Sequence, residues 1–223
     1  MSASTPQAPN LRRGASVLPG WVKEGGRAVL APVVRLAIAM RLTPNTITVI
    51  GLLITLVASA FVASGWLLLG AAILTAGSLL DAVDGALARA TGGGTAFGSF
   101  LDSTLDRAGE AILYTGIGIW LLRTQPEPLL PMVALLVALA GSFLVSYTHA
   151  RAQGIGLAAD IGLAPRTERL VLVIAGVALA GLGITVGLIA IIVVLATLTV
   201  ITVIQRIRHV WRLSEAAVTD SKE

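Results

Sequence analysis

Five acidic residues stand out by type and spacing: Asp81 and Asp84, then Asp102, Asp106 and Glu110. Asp81 and Asp84 are three positions apart and Asp102 and Asp106 four, so on helices each pair shares one face. Gly85, Ala88 and Arg89 fall on the side of the first pair. The run Thr91-Gly92-Gly93-Gly94-Thr95 lets the chain turn back, so the two acidic faces can meet. Four carboxylates in a low-dielectric site repel one another and need either protons or cations. All-oxygen donors, with no Cys or His nearby, favour a hard cation such as Mg²⁺, with Mn²⁺ able to replace it. Two such ions about 3.5–4 Å apart suit displacement at phosphorus, and Arg89 beside them suits a phosphorylated ligand. Buried aspartates that pair with an arginine or cap a helix are the plainer alternative. That reading covers one or two acids better than four at helical spacing with an arginine among them.

Such acids must be carried by rigid elements, and the composition says which kind. The 223 residues are 56% hydrophobic and 13% charged, against roughly 25% charged in ordinary soluble chains. A water-facing surface cannot be dressed with so few charges, so the chain reads as an integral membrane protein. Zero Cys excludes a disulfide framework, thiolate zinc and cysteine nucleophiles, and two His exclude His-rich metal sites. The basic balance invites nucleic acid, but the cations are scattered and aromatics reach only 4%; no nucleic-acid partner is expected.

Residues 42–80 are 39 consecutive uncharged positions and 170–205 are another 36. A span needs about 20 residues, so each stretch holds two helices, broken near Ser64-Gly65-Trp66 and near Gly181-Leu182-Gly183. Two further helices, at about 98–122 and 131–152, bring the expectation to six spans. Fifteen of the sixteen Lys and Arg then fall on one side, Arg123 being the exception. By the positive-inside rule both termini and the acidic site are cytoplasmic, in a multi-pass protein of the inner (plasma) membrane. The fold expected is an all-α integral membrane protein with six transmembrane helices and an N-terminal interfacial amphipathic helix. Residues 1–16 read as a disordered tail without a signal-peptide core. Residues 17–41 form the interfacial helix, with Lys23, Glu24, Arg27, Arg35 and Arg41 on one face. The catalytic domain is 42–213, and 214–223 a polar tail. Gly116, Gly118, Gly141 and Gly176 offer places for close helix packing.

The segment Asp81-Ala-Val-Asp84-Gly85-Ala-Leu-Ala88-Arg89, followed by Gly98, Asp102 and Asp106, resembles the signature of the CDP-alcohol phosphotransferases at every position. It is more specific than a bare DxxD, and a prenyltransferase reading leaves Gly85, Arg89, Gly98 and Asp106 unexplained. The resemblance implies transfer of the phosphatidyl group of a CDP-linked lipid to an alcohol, with release of CMP. It implies two metal ions, Mg²⁺ or Mn²⁺, on Asp81, Asp84, Asp102 and Asp106, with Asp106 also the general base. Gly85, Arg89 and Thr95 would contact the CDP-lipid, as would Thr43, Pro44, Asn45 and Thr46, a segment that also reads as a helix start. A homodimer in the bilayer is the assembly it implies.

For the acceptor, Ser146-Tyr-Thr-His149-Ala-Arg151 and Pro165-Arg166-Thr-Glu168-Arg169 resemble the bacterial phosphatidylinositol-phosphate synthases. Carried over, Ser146, His149, Arg151, Arg166, Arg169 and Arg206 would bind inositol phosphate, since guanidinium grips phosphate through paired donors. Topology alone also wants arginines on this side. His149 stands where that subgroup usually has Lys, and a neutral imidazole removes a fixed charge. Glycerol 3-phosphate, as in a phosphatidylglycerophosphate synthase, is the competing acceptor. A transporter would spread its acids toward the bilayer midplane, and a non-catalytic scaffold would not need all four aspartates.

Overall fold

The computed structural model describes residues 35, 38–40, 42–90, 94–163 and 165–220, without the side chains of Ala82, Asp84, Gly85, Ala88, Arg89, Ala90 and 216–220. The expected tail over 1–16 and nearly all of the expected interfacial helix over 17–41 lie outside the described residues. Six helices follow in the described chain: α1 Pro44–Ala63, α2 Leu67–Ala90, α3 Ala96–Thr124, α4 Leu129–Gly154, α5 Arg166–Gly181 and α6 Thr185–Asp220.

Their ends have local causes. The Thr43 hydroxyl accepts from the Thr46 backbone N–H at 3.2 Å and Pro44 occupies the first turn, where its missing donor costs nothing. Thr95 caps α3 in the same way, accepting from the Gly98 N–H at 2.9 Å. The two breaks expected inside the long apolar stretches are tight turns at Gly65 (φ +89°) and Gly183 (φ +88°). That left-handed conformation is open to glycine without steric cost. Between α3 and α4 the break is made by Gln125-Pro126-Glu127-Pro128. There Arg123 donates to the Ala63 carbonyl at 3.3 Å, tying the ends of α3 and α1 together. The last helix runs on to Asp220, into the stretch from 214 expected to be a polar tail. Its 36 residues make a rod of about 54 Å, well beyond the ~30 Å of a hydrocarbon core.

The helices close into a ring. α1 packs on α2 and α3, α3 on α4, α4 on α6, α6 on α5, and α5 returns to α2. A core of Ala58, Val62, Leu74, Leu113, Leu121, Val177, Leu188 and Leu195 fills the interior, while Leu53, Leu56, Leu136 and Val194 face outward. The glycines noted for close packing work inside the chain. Gly116 lies against Ser59 of α1, Gly141 against Thr199 of α6, Gly176 against Leu188, and Gly118 against Leu135 and Met132. Among the described residues α1, α4 and α6 are long and apolar enough to cross a membrane, and the apolar part of α2 ends at Asp81. The protein is thus an all-helical bundle with membrane-type spans, and its charges gather where α2 ends and α3 and α5 begin.

Candidate active site

Asp81 sits on the last turns of α2 and leans on α1 at Gly51. A Cβ at Gly51 would stand 2.9 Å from the Asp81 Oδ1, so a glycine there leaves room for the carboxylate. Asp102 and Asp106 project from successive turns of α3, Asp102 exposed and Asp106 with 15% of its side chain exposed. Asp84 and Arg89 are one and two turns further along α2 than Asp81. Arg166, first residue of α5, reaches between the two acidic helices. Its Nη2 lies 3.6 Å from the Asp81 Oδ2 and is ion-paired with the Asp106 Oδ1.

Among the described residues no three acidic or His side chains form a ready-made metal cage; a guanidinium occupies the space between Asp81 and Asp106. The donor set nevertheless fits a hard cation. It is all oxygen, Asp81 is cradled by a glycine, and two carboxylates from different helices converge on one positive group. Asp84 and Asp102 stand one turn away from them along the same helices, and the sequence has no Cys to offer a soft ligand.

The starts of α1 and α3 meet beside this centre. A Cβ at Gly98 would lie 3.0 Å from the Asn45 Oδ1 and 3.1 Å from the Thr95 hydroxyl. The structure therefore brings the 43–46 segment and Thr95 together, two of the three groups expected to contact the donor. Thr43 and Thr95 serve as helix caps, and the Thr43 and Thr46 hydroxyls are 2.8 Å apart. Gly85 and Arg89 lie on α2 toward the same end.

A cleft of about 650 Å³ opens next to the acids, between α3, α4, α5, α6 and the loop joining α4 to α5. Ser146, His149, Arg166, Arg169 and Arg206 all line it; Arg151, on an exposed face of α4, is not among its lining residues. The roles differ from a simple cationic ring. Arg206 donates through Nε to the Ile161 carbonyl at 2.7 Å and through Nη1 to the Val145 carbonyl, so it clamps the loop to α4. Leu163 N–H donates to Thr202 at 3.3 Å and fastens the same loop to α6. His149 has its Nδ1 3.4 Å from Asp160 and its Nε2 3.0 Å from the Gln153 amide. Arg169 is buried, with 4% of its side chain exposed and its Nε 3.8 Å from Glu110.

Glu110 does not join the other acids. It takes the Arg107 guanidinium at 2.5 Å and accepts from the Ser142 hydroxyl, which links α3 to α4. The three-residue spacing of Arg107 and Glu110 was visible in the sequence, but Arg107, Ser142 and Asp160 were not recognised as neighbours of the site. A second, smaller cavity runs into the bundle from Asp81 and Asp106 past Thr48, Thr55 and Tyr114. Asp106, Arg166 and Arg169 line both spaces. The acidic centre and the basic cleft thus share one wall, to which Asp106 and Arg166 both belong.

Comparison with known proteins gives the family. Residues 41–211 match the CDP-alcohol phosphatidyltransferase family. A phosphatidylinositol phosphate synthase of Corynebacterium glutamicum is 34% identical over 163 residues, covering 73% of this chain and 74% of its own. An archaetidylinositol phosphate synthase of Methanothermobacter thermautotrophicus is 40% identical over 155 residues, 67% and 75% of the two chains. The phosphatidylinositol phosphate synthase of Mycobacterium tuberculosis, 32% identical, superposes with a TM-score of 0.75 in a crystal structure with CDP-DAG bound, over 82% of this chain and 94% of that one. With manganese and citrate the score is 0.76, over 82% and 88%. This chain belongs to the CDP-alcohol phosphatidyltransferase family.

Proposed function

We propose that the protein transfers the phosphatidyl group of CDP-diacylglycerol, or of a similar CDP-lipid, to inositol 1-phosphate and releases CMP. The observation that carries this reading is the shared wall: Asp106 and Arg166 face both the acidic centre and the basic cleft. Support for the acceptor comes from the relatives, which make inositol phosphate products on two different lipid backbones. Support for a divalent metal comes from the manganese-bound relative. Two Mg²⁺ ions on Asp81, Asp84, Asp102 and Asp106 are the arrangement proposed; when bound they would neutralise the diphosphate and the departing CMP.

The chain's own groups do the rest. The 43–46 segment, Thr95, Gly85 and Arg89 hold the CDP-lipid at the ends of α1, α2 and α3. Ser146, His149, Arg166 and Arg169 hold the acceptor's phosphate in the cleft, and Arg206 supports the loop that walls it. As the acceptor oxygen forms its bond to phosphorus and the bond from phosphorus to the CMP oxygen breaks, the hydroxyl proton passes to the Asp106 carboxylate. The bundle crosses the bilayer six times with the site and both termini cytoplasmic, and it works as a homodimer in the inner membrane.

Asp106→Asn should lower kcat by at least about 10²–10⁴-fold, the usual worth of a positioned base, with a smaller loss of CDP-lipid binding. Turnover close to wild type in a folded Asp106→Asn protein would remove Asp106 from that role.

A further inference from the structure

Arg166 occupies two sites at once. Its guanidinium stands between Asp81 and Asp106, 3.6 Å from the one and ion-paired with the other, and the same side chain lines the basic cleft with Arg169 and Arg206. The three arginines are not held alike. Arg206 is bound to two backbone carbonyls. Arg169 is buried and faces Glu110. Arg166 leaves the first turn of α5 beside Pro165 with 37% of its side chain exposed, so it has room to move. The positive charge that keeps Asp81 and Asp106 together is therefore supplied by neither the buried Arg169 nor the carbonyl-bound Arg206.

Resting on the metal site proposed above, we infer that Arg166 is a shared counter-charge that makes acceptor binding depend on the metal. With its guanidinium between Asp81 and Asp106, Arg166 stands at the wall of the cleft while its charge is committed to those carboxylates. When a cation takes those carboxylates, like charges separate, and Arg166 turns into the cleft beside Arg169, where it grips the phosphate of the acceptor. A residue that opposes one ligand and supports the other couples them, and the coupling is reciprocal: anion in the cleft strengthens cation binding by the same factor that cation strengthens anion binding. The enzyme would thus assemble its acceptor site only after the acidic centre is loaded.

The test is Mn²⁺ binding to the full-length protein in detergent, read from the free Mn²⁺ signal by electron paramagnetic resonance, with and without inorganic phosphate. In the unmodified protein Mn²⁺ should bind, Asp81→Asn should weaken it, and phosphate should tighten it, by about tenfold within the range usual for coupled sites. Arg166→Gln should bind Mn²⁺ more tightly than the unmodified protein, and phosphate should no longer tighten it. Arg169→Gln removes the same charge one turn along α5 and should shift Mn²⁺ affinity clearly less. If Arg166→Gln does not fold, Arg166→Lys, with a shorter reach and no fork, should still tighten Mn²⁺ binding. Unchanged or weaker Mn²⁺ binding in the Arg166 variant, or an equal shift in Arg169→Gln, would overturn the inference while leaving the metal site in place. Mn²⁺ binding that is absent, or indifferent to Asp81→Asn, would overturn both.

Discussion

At the scale of single residues, the division among the acids decides what the site can do. Asp81 and Asp106 face each other across Arg166, whereas Glu110, one turn below Asp106 on α3, is spent on Arg107, Ser142 and Arg169. Sequence spacing placed all five acids on the right helices, because a three- or four-residue step is a local property. It left Glu110 out of the metal set but gave it no partner, because that depends on Ser142 and Arg169, which arrive from helices 32 and 59 positions away. Glu110 is the better tested as a structural ion. Glu110→Gln leaves the Arg107 and Arg169 guanidinium groups short of a counter-charge, at a cost on the order of 3 kcal/mol. A fall in the midpoint of thermal unfolding in detergent should report it; an unchanged midpoint would mean that Arg107 and Arg169 find other compensation.

At the scale of elements, the sequence was most legible where chemistry is local. The helix breaks at Gly65 and Gly183 and the cap at Thr43 are all set by neighbouring residues. The ring order, with α5 closing against α2, was not legible, because outward-facing and inward-facing residues are both apolar in a chain of this composition. Small residues carry that order instead. A Cβ at Gly116 would press on the Ser59 hydroxyl and stand 2.6 Å from its backbone carbonyl, so α1 and α3 would have to part. Gly116→Ala should therefore destabilise the bundle by about 1–3 kcal/mol. Gly109→Ala, seven residues earlier on the same helix, meets nothing nearer than 3.6 Å and should be tolerated. Equal unfolding midpoints for the two variants would contradict the tight α1–α3 seam.

At the scale of the whole molecule, charge and chemistry lie at one end. Among the described residues Arg107, Arg166, Arg169 and Arg206 lie on the side of the acidic centre, and Arg123 at the opposite end is occupied with the Ala63 carbonyl. With six crossings, reporter domains fused at either terminus should both be cytoplasmic, and one inserted at Glu127 should lie outside; termini on opposite faces would refute the six-span arrangement. The acidic signature and the arginines in the first turn of α5 carried, through the family they resemble, the expectation of a CDP-lipid and a phosphorylated alcohol. The shared wall joining them needed the fold, since Asp106 and Arg166 are 60 positions apart. That wall is what the most direct measurement interrogates. Purified protein in detergent should release CMP from CDP-diacylglycerol with Mg²⁺ and inositol 1-phosphate, and not with glycerol 3-phosphate, free inositol or serine, nor in EDTA. Release with glycerol 3-phosphate in place of inositol 1-phosphate, or release that survives EDTA, would contradict the account.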